Sequence, residues 1–107
     1  LFMVAAARLT GLSAKNAWKI FKRDRYNHAS PNSAQTEAAM AGALGVQLAG
    51  DAWYFGTLYK KKTIGDALRP VECEDIRRAN RLMYASAGLL LIVVMLLYCS
   101  FNILTLL

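Results

Sequence analysis

The sequence has one histidine, His28, which lies between two stretches with helical patterns and has charged and hydrogen-bonding neighbours on both sides. These neighbours are Arg23, Asp24, Arg25, Ser30 and Asn32. The Ser30-Pro31 pair is typical of a helix start, where free backbone N–H groups and the positive end of the helix dipole attract anions. Two interpretations stay open: these residues cap and stabilise a helix, or they bind a phosphate or carboxylate.

Three more residues have side chains suited to catalysis or binding. Glu37 is the only carboxylate in an otherwise apolar stretch, which fits either an exposed position or a metal ligand or general base. Asp66 and Arg69 share a short loop, where they either pair with each other or leave Arg69 to hold a phosphate through its planar guanidinium group. The sequence has no glycine-rich phosphate loop and no HExxH or cysteine-based metal motif.

The elements that position these residues follow from hydrophobic periodicity. Apolar residues at three- to five-residue steps predict one helix over residues 1–26, which leaves a membrane and becomes amphipathic. A second helix is predicted from Ser30-Pro31 to Leu44, rich in small residues and ended by Gly45. Residues 46–59 predict a short β-hairpin that turns near Gly50-Asp51, and a loop follows at residues 65–70.

The end of the chain predicts a membrane anchor. Residues 82–107 carry no charged side chain, and about 20 apolar residues suffice to cross the hydrocarbon layer of a bilayer. We therefore expect a helix that starts near Glu72 and continues into a transmembrane span. The predicted fold is mainly α and integral to the membrane, with amphipathic and transmembrane helices around a cytoplasmic polar loop that contains the hairpin. Its parts are residues 1–26, 27–71 and 72–107, all belonging to one longer domain.

The net charge of +6 over 107 residues is best explained by membrane topology. Basic residues flank the polar region on both sides, so the positive-inside rule places residues 22–81 in the cytoplasm of a multi-pass protein of the cell (inner or plasma) membrane. Nucleic acid is not an expected partner, because the basic residues form no aromatic-interleaved motif. Cys73 and Cys99 lie in different environments and lack metal-ligand spacing, so neither a disulfide nor a metal site is expected.

Five segments together resemble a known family. They are Arg23-Asp24, HASPN at 28–32, EAAMAGALGV at 37–46, Gly65-Asp66 with Arg69-Pro70, and EDIRRA at 74–79. Their order and spacing across residues 5–85 resemble the C-terminal third of the adenosylcobinamide-phosphate synthase family, the CobD/CbiB-type proteins of cobalamin biosynthesis. The resemblance implies that helices preceding Leu1 are missing and that the chain alone is inactive.

The resemblance also implies a reaction. The family joins a propionate of adenosylcobyric acid to aminopropanol or its O-phosphate at the expense of ATP, with Mg²⁺. The resemblance points to eight candidate positions in this chain, and the chemistry of amide formation suggests their roles. His28, Glu37 and Asp66 are the expected catalytic residues, with Glu37 or Asp66 binding Mg²⁺ or accepting the amine proton. The expected substrate-binding residues are Arg23, Asp24, Ser30, Asn32 and Arg69. The alternative is a non-enzymatic membrane module in which the basic residues bind anionic lipid or a partner protein.

Overall fold

The structure is a computed structural model that describes residues 1–28 and 30–107. Ala29, which belongs to the predicted helix break and to the HASPN segment, lies outside the described residues. The helices are α1 (Phe2–Leu9), α2 (Ala14–Asp24), α3 (Pro31–Leu44) and α4 (Glu74–Leu106). The strands are β1 (Leu48–Ala49), β2 (Ala52–Tyr54), β3 (Thr57–Tyr59) and β4 (Thr63–Ile64). The predicted mainly α fold with short strands is confirmed.

The single helix predicted over residues 1–26 is wrong, because the chain breaks between α1 and α2. Gly11 has a φ of +76°, a left-handed conformation that a glycine adopts at little cost. Ser13 then caps α2: its hydroxyl accepts a hydrogen bond from the backbone N–H of Asn16 at 3.1 Å. The apolar periodicity continues across this break, so periodicity alone did not reveal it.

Helices α2 and α3 approach each other closely at Gly42. A Cβ atom at this position would lie 2.6 Å from the carbonyl oxygen of Asn16 and 2.8 Å from the Cα of Ala17. The side-chain amide of Asn16 donates a 2.7 Å hydrogen bond to the Gly42 carbonyl, which holds the two backbones together. Gly45 ends α3 in a left-handed conformation with φ +72°, as the sequence predicts.

The predicted hairpin exists, but its turn is not at Gly50-Asp51. Strands β2 and β3 pair antiparallel with Tyr54 opposite Thr57, so the turn is Phe55-Gly56. Both turn residues have positive φ, +51° and +77°, as a two-residue type I′ turn requires. Gly50 instead lies where the chain leaves a second antiparallel pair, β1 with β4, in which Leu48 is opposite Ile64.

Helix α4 continues from the polar region into the apolar segment without a break, as predicted. Among the described residues it is the one helix that is long and apolar enough to cross a membrane, with a mean hydropathy of 2.5 over its most apolar window. Helix α1 packs on the first half of α4, where Ala6, Ala7 and Leu82 share a buried cluster. The apolar window itself is exposed.

The close approach at Gly42 predicts a steric effect of substitution. Gly42→Ala should destabilise the full-length protein by about 2 kcal/mol, because the overpacked contact outweighs the ~1 kcal/mol that alanine gains in a helix. The matched control is Gly88→Ala, since a Cβ at Gly88, also in a helix, would meet nothing within 4 Å. Thermal unfolding in detergent measures both variants, and equal midpoints would contradict the contact.

Candidate functional site

A buried carboxylate, Asp24, joins the end of α2 to the segment after β4. Asp24 is 3% exposed. Arg23 donates to both of its oxygens, with Nε and Nη2 each at 2.8 Å. The backbone N–H of Gly65 donates to Oδ2 at 2.7 Å, and the side-chain amide of Asn27 donates to Oδ1 at 3.2 Å. The hydrogen bond from Arg23 holds the pKa of Asp24 below its usual value, in spite of burial.

Arg23 also binds Asp66, so its guanidinium is shared between two carboxylates. Its Nη2 lies 2.9 Å from one oxygen of Asp66, and its Nη1 donates to the other at 3.1 Å. The hydrogen bond to Asp24, and to a smaller extent the one to Asp66, raises the pKa of the Arg23 guanidinium above its usual value. The suggested pairing of Asp66 with Arg69 is wrong, since each has a different partner. The Arg23-Asp24-Asp66 group has a net negative charge, which does not favour a further anion.

Arg69 ties the end of α3 to the start of α4. Its Nε donates to the carbonyl of Leu44 at 3.1 Å, and its Nη1 donates to one oxygen of Asp75 at 2.9 Å. Its Nη2 donates to the other oxygen of Asp75, so the two side chains form a bidentate salt bridge. This hydrogen bonding raises the pKa of the Arg69 guanidinium. The guanidinium predicted to hold a phosphate is therefore bound to a carboxylate of its own chain.

His28 lines a cleft of about 550 Å³ between the α2–α3 loop and the hairpin. The cleft is lined by Tyr26, Asn27, His28, Ala49, Gly50, Asp51, Ala52, Tyr54, Lys61 and Lys62. The Nδ1 of His28 accepts a 2.9 Å hydrogen bond from the backbone N–H of Ser30. In the neutral ring the proton is therefore on Nε2, which makes that atom a donor.

Ser30 occupies the N-cap position of α3, as predicted, although its hydroxyl makes no capping hydrogen bond within the described part of the chain. Asn32 is exposed in the first turn of the same helix. Both residues are thus at the helix start that the sequence suggests for an anion. What they bind stays a prediction.

Glu37 lines a different cavity, a groove of about 420 Å³ between α1, α3 and α4. The groove is lined by Met3, Thr36, Glu37, Met40, Leu48, Ala79, Asn80, Met83 and Ser86. The Ser33 hydroxyl donates a hydrogen bond to one oxygen of the half-buried Glu37 carboxylate. Its surroundings are mostly apolar, so the carboxylate has few groups with which to share its charge.

The proposed metal ligands do not come together in the described residues. Glu37 lies in the methionine-lined groove, whereas Asp66 is bound to Arg23. Within residues 1–28 and 30–107, no group of three or more His, Cys, Asp or Glu side chains is placed to hold a metal ion. Glu37 and Asp66 therefore do not form a shared Mg²⁺ site within the described residues.

Sequence reasoning missed several residues that shape these sites. Asn27 bridges Asp24 and the carbonyl of Thr63, and Asp75 binds Arg69. Asp51 accepts a hydrogen bond from the backbone N–H of Lys61 at 2.9 Å. Arg69 lies only six positions before its partner Asp75, so opposite charges on the two sides of Pro70 were the sequence signal for this pair.

The Asp24 geometry predicts a pH-dependent effect on stability. A carboxylate with a lowered pKa stabilises the fold above its unfolded pKa of about 3.9, and this contribution is lost as the pH falls through the folded pKa. Asp24→Asn should therefore destabilise the full-length protein by about 3 kcal/mol at pH 7, because it breaks a buried pair. The difference in thermal midpoint from wild type should shrink below pH 4.

The matched control is Asp66→Asn, which removes the same charge from a carboxylate that is 39% exposed. We expect it to cost less than about 1 kcal/mol, since solvent screens such pairs. A pH-independent cost for Asp24→Asn, or equal costs for the two variants, would contradict the assignment of Asp24 as the buried anchor.

Comparison with known proteins identifies relatives over most of the chain. The family described as CobD/Cbib protein matches residues 1–83. Cobalamin biosynthesis protein CobD of Desulfotalea psychrophila is 50% identical over 90 residues, covering 84% of this chain and 27% of that protein. Cobalamin biosynthesis protein CobD of Clostridium perfringens is 44% identical over 101 residues, which cover 94% of this chain and 32% of that protein. Cobalamin biosynthesis protein CbiB of Salmonella typhimurium is 45% identical over 102 residues, which cover 95% of this chain and 32% of that protein.

The chain thus spans about a third of the length of these relatives. No solved structure matches it. The five segments on which the resemblance rests all fall inside the region matched by the family. The chain belongs to the CobD/CbiB protein family.

Proposed function

We propose that this chain is part of a membrane enzyme of cobalamin biosynthesis, an amide ligase of the adenosylcobinamide-phosphate synthase type. It would join adenosylcobyric acid to aminopropanol or its O-phosphate at the expense of ATP. The observation that carries this proposal is family membership: the match covers residues 1–83, and the relatives are named cobalamin biosynthesis proteins. The reaction itself comes from the resemblance of the five segments.

Amide formation requires an activated carboxylate and an amine that has lost its proton, and the described residues differ in how well they suit these tasks. Glu37 is the best placed to accept a proton, because its half-buried carboxylate has only a serine hydroxyl as a described hydrogen-bond partner. His28 suits donation to an anion better, since its Nδ1 is already occupied by Ser30. Asp66 suits neither task well, because Arg23 binds both of its oxygens.

ATP and Mg²⁺ remain part of the proposal as substrate and accompanying ion. This chain offers no cluster of ligands for a resident ion in its described residues, so we propose that Mg²⁺ arrives with the ATP phosphates. Arg23, Asp24 and Arg69 are better explained as residues that position the backbone around the site, since each is bound within its own chain.

We also propose that the protein is a multi-pass protein of the cell membrane with residues 22–81 in the cytoplasm, where ATP is available. Helix α4 supports a membrane anchor, and it begins directly after the polar region that carries His28, Asp66 and Arg69. Arg77, Arg78 and Arg81 lie at the polar end of this helix, which is the arrangement that retains a loop on the cytoplasmic side.

A synthesis assay tests the reaction. Full-length variants are expressed in a strain that lacks its own copy, and adenosylcobinamide phosphate is measured by mass spectrometry after membranes receive ATP, adenosylcobyric acid and aminopropanol phosphate. Glu37→Gln should lower the rate by about a hundredfold or more, because the amine loses its proton acceptor. Its matched control is Glu74→Gln, an exposed carboxylate at the start of α4 that should leave the rate nearly unchanged.

Because this chain spans about a third of its relatives, we expect it to be inactive on its own. Full activity of both Glu37→Gln and His28→Ala at normal protein levels would refute these site assignments. A wild-type protein that binds anionic vesicles but makes no amide would favour the membrane interaction module instead.

A further inference from the structure

We infer that the cleft between the α2–α3 loop and the hairpin binds the phosphate group of a small molecule. Its lining includes an imidazole, a phenol and two ammonium groups, from His28, Tyr54, Lys61 and Lys62. These are the groups that donate hydrogen bonds to phosphate oxygens, and two of them carry a full positive charge. The volume of about 550 Å³ is sufficient for a phosphate with an organic substituent.

Two donors of the cleft, Lys61 and His28, are held in place before any ligand arrives. The Nζ of Lys61 donates to the Tyr54 hydroxyl at 2.9 Å and lies 4.4 Å from the centre of the Tyr54 ring. The backbone N–H of Lys61 is bound by Asp51, which fixes the start of the return segment after β3. The Ser30 N–H fixes the imidazole of His28. Such preorganisation lowers the entropy lost on binding.

Lys62 is the charged donor that remains available for a ligand. It lines the cleft and is exposed, and the described part of the chain provides it with no ion pair or hydrogen bond. Lys60 is also exposed but does not line the cleft. Substituting each lysine in turn therefore distinguishes phosphate binding inside the cleft from nonspecific attraction to the positive charge of the surface.

The carboxylate of Asp51 limits which phosphates suit the cleft. Together with Lys61 and Lys62, and with a neutral His28, it gives the lining a net charge of +1, which balances a monophosphate better than a triphosphate. The identity of the ligand rests on the proposed function, which supplies two phosphate-bearing molecules, ATP and an aminoalkyl phosphate. The binding of phosphate in the cleft does not depend on that function.

Direct binding tests the site without any turnover. Full-length protein in detergent, at about 0.15 M ionic strength, is titrated by calorimetry with inorganic phosphate, with aminopropanol phosphate and with ATP. Lys62→Gln should weaken binding of the phosphate probe by about tenfold, the loss expected for one charge-assisted hydrogen bond. Lys60→Gln, which removes the same charge outside the cleft, should change it less than about twofold because salt screens it. Thermal unfolding verifies that both variants fold.

The three probes distinguish the sources of the phosphate. Binding of aminopropanol phosphate with competition by inorganic phosphate, both dependent on Lys62, supports a monophosphate site. Lys62-dependent binding of ATP alone supports a nucleotide phosphate in the same cleft. Equal effects of the two lysine variants, or no binding of any probe, overturn the site. A protein that still makes adenosylcobinamide phosphate under those outcomes leaves the proposed function standing without this cleft.

Discussion

The buried carboxylate of Asp24 is the interaction on which the polar region depends. It accepts hydrogen bonds from its neighbour Arg23, from Asn27 and from the backbone N–H of Gly65, which lies 41 positions later in the chain. A buried charge with fewer donors would be costly. Two of these donor residues precede the hairpin in the chain and one follows it. The hydrogen bonds to Asp24 therefore hold the two ends of the hairpin segment next to the end of α2. Gly65 itself has no room for a side chain, since a Cβ there would lie 2.4 Å from the Val46 carbonyl oxygen.

A second ion pair extends this framework to α4, the candidate membrane helix. Arg69 binds the carbonyl of Leu44 at the end of α3 and the carboxylate of Asp75 at the start of α4. The Arg23–Asp66 and Arg69–Asp75 ion pairs lie at opposite ends of the short segment that contains Gly65 and Pro70. Together they fix the exit from the hairpin and the entry into α4 through charged groups that are already paired within the chain.

The sequence predicted those elements whose signals are local. The end of α3 at Gly45 and the uninterrupted run of α4 depend on residue types within one or two turns, and both are confirmed. The break at Gly11 and the turn at Phe55 depend on backbone conformations that the hydrophobic pattern does not encode. The contact of Arg23 with Asp66 depends on tertiary packing, because 43 positions separate the two residues. The sequence left open whether Asp66 pairs with Arg69 in the same loop, whereas the fold brings Asp66 to Arg23.

The division of candidate residues between two cavities constrains how an amide ligase could use them. His28 lies at the polar cleft with Lys61 and Lys62, and Glu37 lies in the groove with Met3, Met40 and Met83. A phosphate needs the first environment, whereas the second has the apolar lining that a large, mostly apolar ring system prefers. If each cavity holds one substrate of the proposed enzyme, a substrate has to extend from one cavity to the other, because the amine and the activated carboxylate must meet. Relatives are about three times as long as this chain, and their additional residues are where we expect the walls of that connection.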